Sequence, residues 1–248
     1  MTIIFFTLEF IGMKRLKLII EYDGTDFYGW QVQPHRRSVQ GEIEEALRTI
    51  YEEEIRVEGA GRTDRGVHAY GQVASLYVPE KLSPPVLKDA INGNIGSDIF
   101  IKECTPVPSD FHARFSAKSR IYQYQIYNGK SVFRRRYFHQ INERLDIPLL
   151  KEAAEKLIGK RNFTHLATKD EGICDLNRID IKKVEDTIYL TLEADHFLRR
   201  MVRGIVGLLV VVGKGKFHPE EVLDMVSGKI RRPPVAPPEG LFLLNVIY

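Results

Sequence analysis

The sequence predicts an α+β fold, a mixed sheet carrying helices on one face. Three observations lead there. Strand-like alternation and helix-like periodicity follow one another as strand, helix, strand, helix, strand, twice over. The helical stretches 38–51 and 146–158 occupy similar places in each half, although no sequence repeat is visible. The 248 residues are 44% apolar and 28% charged, a globular mixture long enough to bury a core without staples. Residues 13–116 read as an N-terminal α+β half and 117–248 as a C-terminal one, the two forming one catalytic unit.

Each element has its own reason. Met13 opens MKRLKLIIEYDG, a strand with a turn at Asp23-Gly24. Met13 therefore reads as the natural first residue and residues 1–12 as an extension; an extra strand over Ile3–Phe10 is the alternative. Ser38 caps a helix whose Val39, Ile43, Ala46, Leu47 and Ile50 recur at helical spacing. Val73–Val78 is a strand, and Ser83-Pro84-Pro85 starts a short helix that Gly93 stops. In Arg120–Tyr127, Arg120, Tyr122 and Tyr124 share one face of a strand. Asp146–Gly159 is amphipathic, with Leu149, Leu150, Ala153, Ala154 and Leu157 on its apolar side. Thr187–Ala194 is a strand, and Phe197–Val212, apolar nearly all round, a buried helix. Pro219–Ser227 is a short helix ended by Gly228, and Leu241–Ile247 a closing strand. The prolines of 232–238 mark a tight surface crossing and not a linker.

Composition excludes several classes. Thirty-six Lys and Arg against 33 Asp and Glu leave +3, so an anionic partner has to be inferred from where charge sits. Cys104 and Cys174 stand 70 residues apart with no CxxC or HxxxH spacing, which disfavours zinc and a disulfide framework and fits a reducing cytoplasm. No apolar run reaches the roughly 20 residues of a spanning helix. The opening MTIIFFTLEFIG lacks the basic start and cleavage site of a signal peptide.

Charge is concentrated in one place. Phe111–Asn142 holds seven cations (Arg114, Lys118, Arg120, Lys130, Arg134, Arg135 and Arg136) and no acid in 32 residues, where composition predicts about four. Tyr122, Tyr124, Tyr127, Phe133, Tyr137 and Phe138 are interleaved. Cations meet phosphates and aromatic faces stack on unpaired bases; a basic edge strand that resists sheet pairing is the plainer alternative. Arg199, Arg200 and Arg203 form a second cluster on the buried helix, where each needs a counter-ion or a phosphate.

The segment Gly59-Ala60-Gly61-Arg62-Thr63-Asp64-Arg65-Gly66-Val67-His68-Ala69 sets one carboxylate between two cations and among glycines. Glycine lets a ligand approach closely, and flanking positive charge favours an ionised Asp64. Such a carboxylate in a basic cleft can act as nucleophile or base without a metal. An Asx turn in a surface loop is the other reading.

Here the residues carry a resemblance. GRTDRGVHA (Gly61–Ala69) is similar to the catalytic motif of the TruA family of tRNA pseudouridine synthases. Tyr22-Asp23-Gly24-Thr25-Asp26-Phe27-Tyr28-Gly29-Trp30-Gln31-Val32-Gln33, with Ser38-Val39-Gln40 after it, resembles the family's opening motif. Phe111-His112-Ala113-Arg114-Phe115-Ser116-Ala117, Met201-Val202-Arg203 and Ala236-Pro237-Pro238-Glu239-Gly240-Leu241 follow in the family's order, and the resemblance runs from Lys14 to Tyr248. It implies the pseudouridine synthase fold: two ferredoxin-like halves with antiparallel sheets forming a central cleft, helices outside. It implies Asp64 as the essential aspartate, Arg62 as a displacer of the target base, and Tyr122 as the ring that stacks on that base and a candidate for C5 proton removal. It implies Arg203 as the aspartate's basic partner. The implied substrate is the tRNA anticodon arm, at uridines 38, 39 and 40; the implied assembly is a homodimer needing neither metal nor organic cofactor, with no membrane attachment. Asp64 attacking C1′, attacking the base and abstracting a ribose proton all remain compatible with the motif.

Two positions depart from the bacterial pattern. Arg65 stands where a small residue is usual, either as an added phosphate contact or as one end of a salt bridge. Arg199-Arg200 replaces an aromatic–histidine pair. Arg120 and Arg114 complete the expected substrate contacts. Trp30 and Phe27 are expected in the core, His68 as a structural hydrogen bonder, Thr63 as a residue that orients the loop, and the two cysteines as buried thiols.

Overall fold

The computed structural model describes residues 12–168 and 170–248. The alternative strand over Ile3–Phe10 and, apart from Gly12, the expected extension over residues 1–12 lie outside the described residues. Two compact units divide the chain: one runs to Ala117 and takes in Tyr248, the other is Lys118–Ile247.

The first unit runs β1 (Met13–Tyr22), α1 (Val39–Tyr51), β2 (Glu58–Gly59), β3 (His68–Pro79), α2 (Pro84–Asn94) and β4 (Ile99–Pro106). β1 pairs antiparallel with both β3 and β4, and β2 pairs antiparallel with β3. The spatial order is therefore β4-β1-β3-β2. In β1, Leu16, Leu18 and Ile20 alternate as fully buried residues, the mark of a sheet with one covered face. Val39, Ile43, Ala46 and Leu47 of α1 supply the buried stripe of the helix layer, while Ile50 is only half-buried. Ser38 caps α1 through Gly41 N–H, and Glu52 ends it in the left-handed region at φ 61°.

The second unit runs β5 (Ser119–Tyr127), β6 (His139–Gln140), α3 (Ile147–Leu157), β7 (Gly159–Asn162), β8 (Ile173–Val184), β9 (Thr187–Ala194), α4 (Met201–Gly213), α5 (Val222–Val226) and β10 (Leu241–Ile247). Its main strands lie in the order β10-β5-β9-β8-β7, all antiparallel, and β6 adds a two-residue parallel pairing to β5. With β5, β8, β9 and β10 counted as first to fourth, the order is fourth, first, third, second, as in the first unit. Each unit is thus a ferredoxin-like βαββαβ module, with β7 added at an edge of the second. This is the fold class the sequence led to.

Some elements differ from expectation. α2 runs through Gly93 to Asn94; a single glycine near a helix end lowers stability without forcing a stop. α4 begins at Met201, not Phe197, because Arg200 sits at φ 61°, which no right-handed helix accepts. Arg199 and Arg200 therefore precede the helix and are exposed; of the cluster only Arg203 lies on it and is buried. Pro219–Ser227 divides into a 3-10 turn, Pro219–Glu221, and α5. β2, β4, β6, β7 and β8 were not expected from the sequence.

Twelve of the 13 residues of α4 are buried. Its glycines allow this: a Cβ at Gly204 would stand 2.1 Å from the Leu166 carbonyl oxygen, and one at Gly207 2.3 Å from that of Pro234. The 232–238 crossing lies against the helix, with Ala236 N–H donating to Arg203 O over 2.9 Å. Tyr124 Oη donates to Pro237 O at 2.8 Å.

Candidate active site

Arg62, Asp64 and Arg65 sit in the loop joining β2 to β3. The loop closes on itself: Val67 N–H donates to Asp64 O at 3.1 Å, and Gly66 takes φ 77°. The segment Phe27–Trp30 backs it. Gly66 N–H donates to Phe27 O and Trp30 N–H to Thr63 O. Gly29 makes the approach possible at φ 97°, since a Cβ there would stand 2.5 Å from Thr63 O and 3.1 Å from the Asp64 carbonyl carbon. The Trp30 indole fills the space over Gly59, where a Cβ would come within 2.5 Å of Nε1. Trp30 is 3% exposed, so it is both core and buttress.

A polar frame holds the same loop from the strands. Tyr22 Oη on β1 lies 2.8 Å from Thr63 Oγ1. Gln72 on β3 is fully buried; its Nε2 donates to Gly61 O at 2.9 Å and reaches Tyr22 Oη at 3.5 Å. Thr63 does orient the loop, as expected. Next to these tethers Asp64 is half-buried, and Arg62 and Arg65 are exposed.

His68 lies 3.0 Å from Gly24 N through Nδ1 and 3.1 Å from Asp23 Oδ1. The Gly24 N–H can only donate, so Nδ1 is the acceptor and the Asp23 contact is not an ion pair in that state. The Arg65 guanidinium stacks 4.4 Å from the centre of the Tyr28 ring. Arg36 stacks on the same ring and donates to its hydroxyl at 2.9 Å.

Arg114 is exposed on the segment after β4, with its guanidinium 5.6 Å from the Phe115 ring centre. That segment is pinned by Ala113, whose N–H donates to Ser75 Oγ and whose carbonyl accepts from Tyr248 Oη.

In the second unit, alternation along β5 puts Arg120, Tyr122 and Tyr124 on one face. Tyr122 is 7% exposed and meets Phe197 edge-to-face, ring centres 5.2 Å apart. The Tyr124 phenol is pushed well up by burial. Arg120 is buried and donates from Nη1 to Asp195 O at 2.8 Å. Arg203, on the first turn of α4, is buried as well, and its Nε donates to Ala236 O at 2.7 Å. Arg203 and Ala236 thereby grip each other twice, which fixes the guanidinium's direction.

The frame residues Tyr22, Gly29 and Gln72 had no assigned part in the sequence reading. Tyr22 and Gly29 lie inside a motif quoted whole; Gln72 could have been suspected as a polar residue in the apolar strand leading to Val73–Val78. Among the described residues, no three or more His, Cys, Asp or Glu are placed to hold a metal ion, and no helix is long and apolar enough to cross a membrane.

Residues 18–116 and 153–248 match the family model described as tRNA pseudouridine synthase. The tRNA pseudouridine synthase A of Thermosipho melanesiensis is 41% identical, over 95% of this chain and all of its own length. That of Thermosipho africanus is 42% identical over the same shares, and that of Geobacillus kaustophilus 39%, over 95% of each chain. With one ferredoxin-like unit presenting a framed aspartate and the other a stacked tyrosine and an anchored arginine, the chain belongs to the tRNA pseudouridine synthase family.

Proposed function

We propose that the chain isomerises uridine to pseudouridine at positions 38, 39 and 40 of the tRNA anticodon arm, with Asp64 as its one catalytic carboxylate. The framing of Asp64 carries the proposal. Tethers from Tyr22, Gln72 and Trp30 hold the residues just before it, and Phe27 O accepts from Gly66 N–H just after it, the preorganisation that a charge-handling group requires.

The reaction breaks the C1′–N1 bond, turns the freed base and joins C1′ to C5; C5 loses a proton and N1 gains one. No electron or outside atom is needed, so neither a metal nor an organic cofactor has a step to perform. Glycosidases use two carboxylates because a water has to be activated; here the base itself returns to C1′, and one suffices.

The target base leaves its stack at a cost of a few kcal/mol. Arg62, exposed beside Asp64, displaces it, and Tyr122 recovers about 1–3 kcal/mol by stacking on it. Tyr122 is also the candidate to take the C5 proton. Arg203 is the residue that the family resemblance offers as the basic partner of the catalytic aspartate. Arg65 and Arg114 contact the RNA backbone. Arg120, with one nitrogen committed to Asp195 O, serves by positioning. The working assembly is a homodimer in the cytoplasm.

The test is purified protein with EDTA, no added cofactor and unmodified tRNA, with Asp64→Ala alongside and pseudouridine mapped at each position. Product at 38, 39 or 40 from the wild type alone supports the reading, provided the variant still binds tRNA. No product on folded, bound tRNA overturns the substrate assignment. Sedimentation reads the assembly separately.

A further inference from the structure

The loop between β5 and β6 presents an apolar ring to solvent on a stiff base. Phe133 is 91% exposed and Val132 63%, although the residues around them are well held. Ser131 and Gln140 close the base reciprocally: Ser131 N–H donates to Gln140 Oε1 and Gln140 Nε2 to Ser131 O at 2.8 Å. Arg134 lies over the Tyr127 and Phe138 rings, 4.5 and 5.1 Å from their centres, and donates to Thr187 Oγ1 at 3.0 Å. The carbonyl of Arg134 accepts from both Tyr137 N–H and Phe138 N–H, which makes a compact turn. Arg135 returns Nη1 to Val132 O at 2.8 Å. The tip is therefore ordered by its own side chains, and Phe133 is the ring that this order leaves outside.

Its surroundings select the partner. Lys130, Arg135 and Arg136 are exposed around the tip, and the segment lies within the 32 residues that contain no acid. A flat ring among cations matches an unpaired base next to phosphates; another copy of this positive tip would be repelled. We propose that the 130–137 loop is an RNA-docking tip, separate from the catalytic loop, in which Phe133 stacks on an unpaired base of the tRNA while Lys130, Arg135 and Arg136 meet adjoining phosphates. Arg134 sits underneath as the tip's strut. The inference rests on the tRNA reading above and adds a contact surface to it.

The experiment measures tRNA affinity against salt for the full chain, for Phe133→Ser, for Arg135→Ala/Arg136→Ala and for Val86→Ser, an exposed apolar control in the first unit. Sedimentation, thermal melting and pseudouridine mapping of the wild type run in parallel. Phe133→Ser is expected to weaken binding about tenfold with the salt slope kept. The double variant is expected to lower the slope of log affinity against log salt by about 1–2. The control should leave both unmoved, and all variants should melt with the wild type. Unchanged tRNA affinity in Phe133→Ser overturns the proposal, as does a fall in assembly mass in that variant, which would make the tip a contact between copies. Absence of pseudouridine from the wild type counts against the reaction instead, since the binding measurement stands without it.

Discussion

Tyr22 Oη and Thr63 Oγ1 lie 2.8 Å apart, so a hydroxyl on the first strand holds the residue next to Asp64. Tyr22→Phe strips the buried Thr63 hydroxyl of this partner, a loss of about 1–3 kcal/mol. The rate of the chemical step is expected to fall about 10- to 100-fold as the loop loses its register. Adding Thr63→Val removes both polar partners and is expected to restore most of the stability but not the rate. Melting and single-turnover measurements on the two single variants and the double check this; stability losses that simply add would refute it.

Gly29 tests the same loop from behind. A methyl at this position meets Thr63 O at 2.5 Å on a backbone already at φ 97°. Gly29→Ala is expected to cost at least about 2 kcal/mol, and to reduce turnover more than tRNA affinity. Affinity and turnover lost equally would mean that the segment serves binding alone.

His139 gives a pH dependence. Burial, helped by the Lys214 ammonium, lowers its imidazole from 6.5 to about 4. Between those values the unfolded chain binds a proton that the folded chain does not, so stability is full above about pH 6.5 and declines as pH falls toward 4. The decline is about 2 kcal/mol after allowance for solvent screening. Urea unfolding of the wild type and of His139→Phe, compared from pH 7 to 4.5, should show a shallower slope in the variant. Equal slopes would sink the assignment.

Cys174, His196 and Asp195 form a string that resembles a nucleophilic triad in outline. Cys174 Sγ lies 3.3 Å from His196 Nε2, and His196 Nδ1 lies 3.0 Å from Asp195 Oδ1. Burial, however, pushes the thiol up to about 11, which leaves roughly one thiolate in a thousand at pH 8 and no useful nucleophile. Iodoacetamide at pH 8 should leave Cys174 unmodified in the native protein and alkylate it in denaturant, as read by peptide mass. Rapid native labelling would contradict this.

Where a single pattern decided the outcome, the sequence was a sufficient guide. Ser38 and Asp146 marked true helix starts, and the alternation in Arg120–Tyr127 sorted that strand's faces correctly. Strand β8 escaped for a definite reason. Cys174 and Leu176 keep one parity while Ile179 and Ile181 keep the other, because a bulge between Leu176 and Arg178 shifts the register and breaks the alternation that betrays a strand. The start of α4 was misjudged because apolarity runs on through Phe197 and Leu198, whereas the left-handed turn at Arg200 leaves no mark in composition. The motif located Asp64, but its frame joins residues 41 and 50 positions apart, Tyr22 to Thr63 and to Gln72, and no local pattern reports such a pairing.

Helix α4 meets its neighbours glycine to carbonyl at Gly204 and Gly207, with no flexible side chain in between to give way. A helix seated on main chain can only stay seated or leave entirely. Its amide hydrogens should therefore be among the last in the second unit to exchange with deuterium, and should do so only when that unit unfolds as a whole.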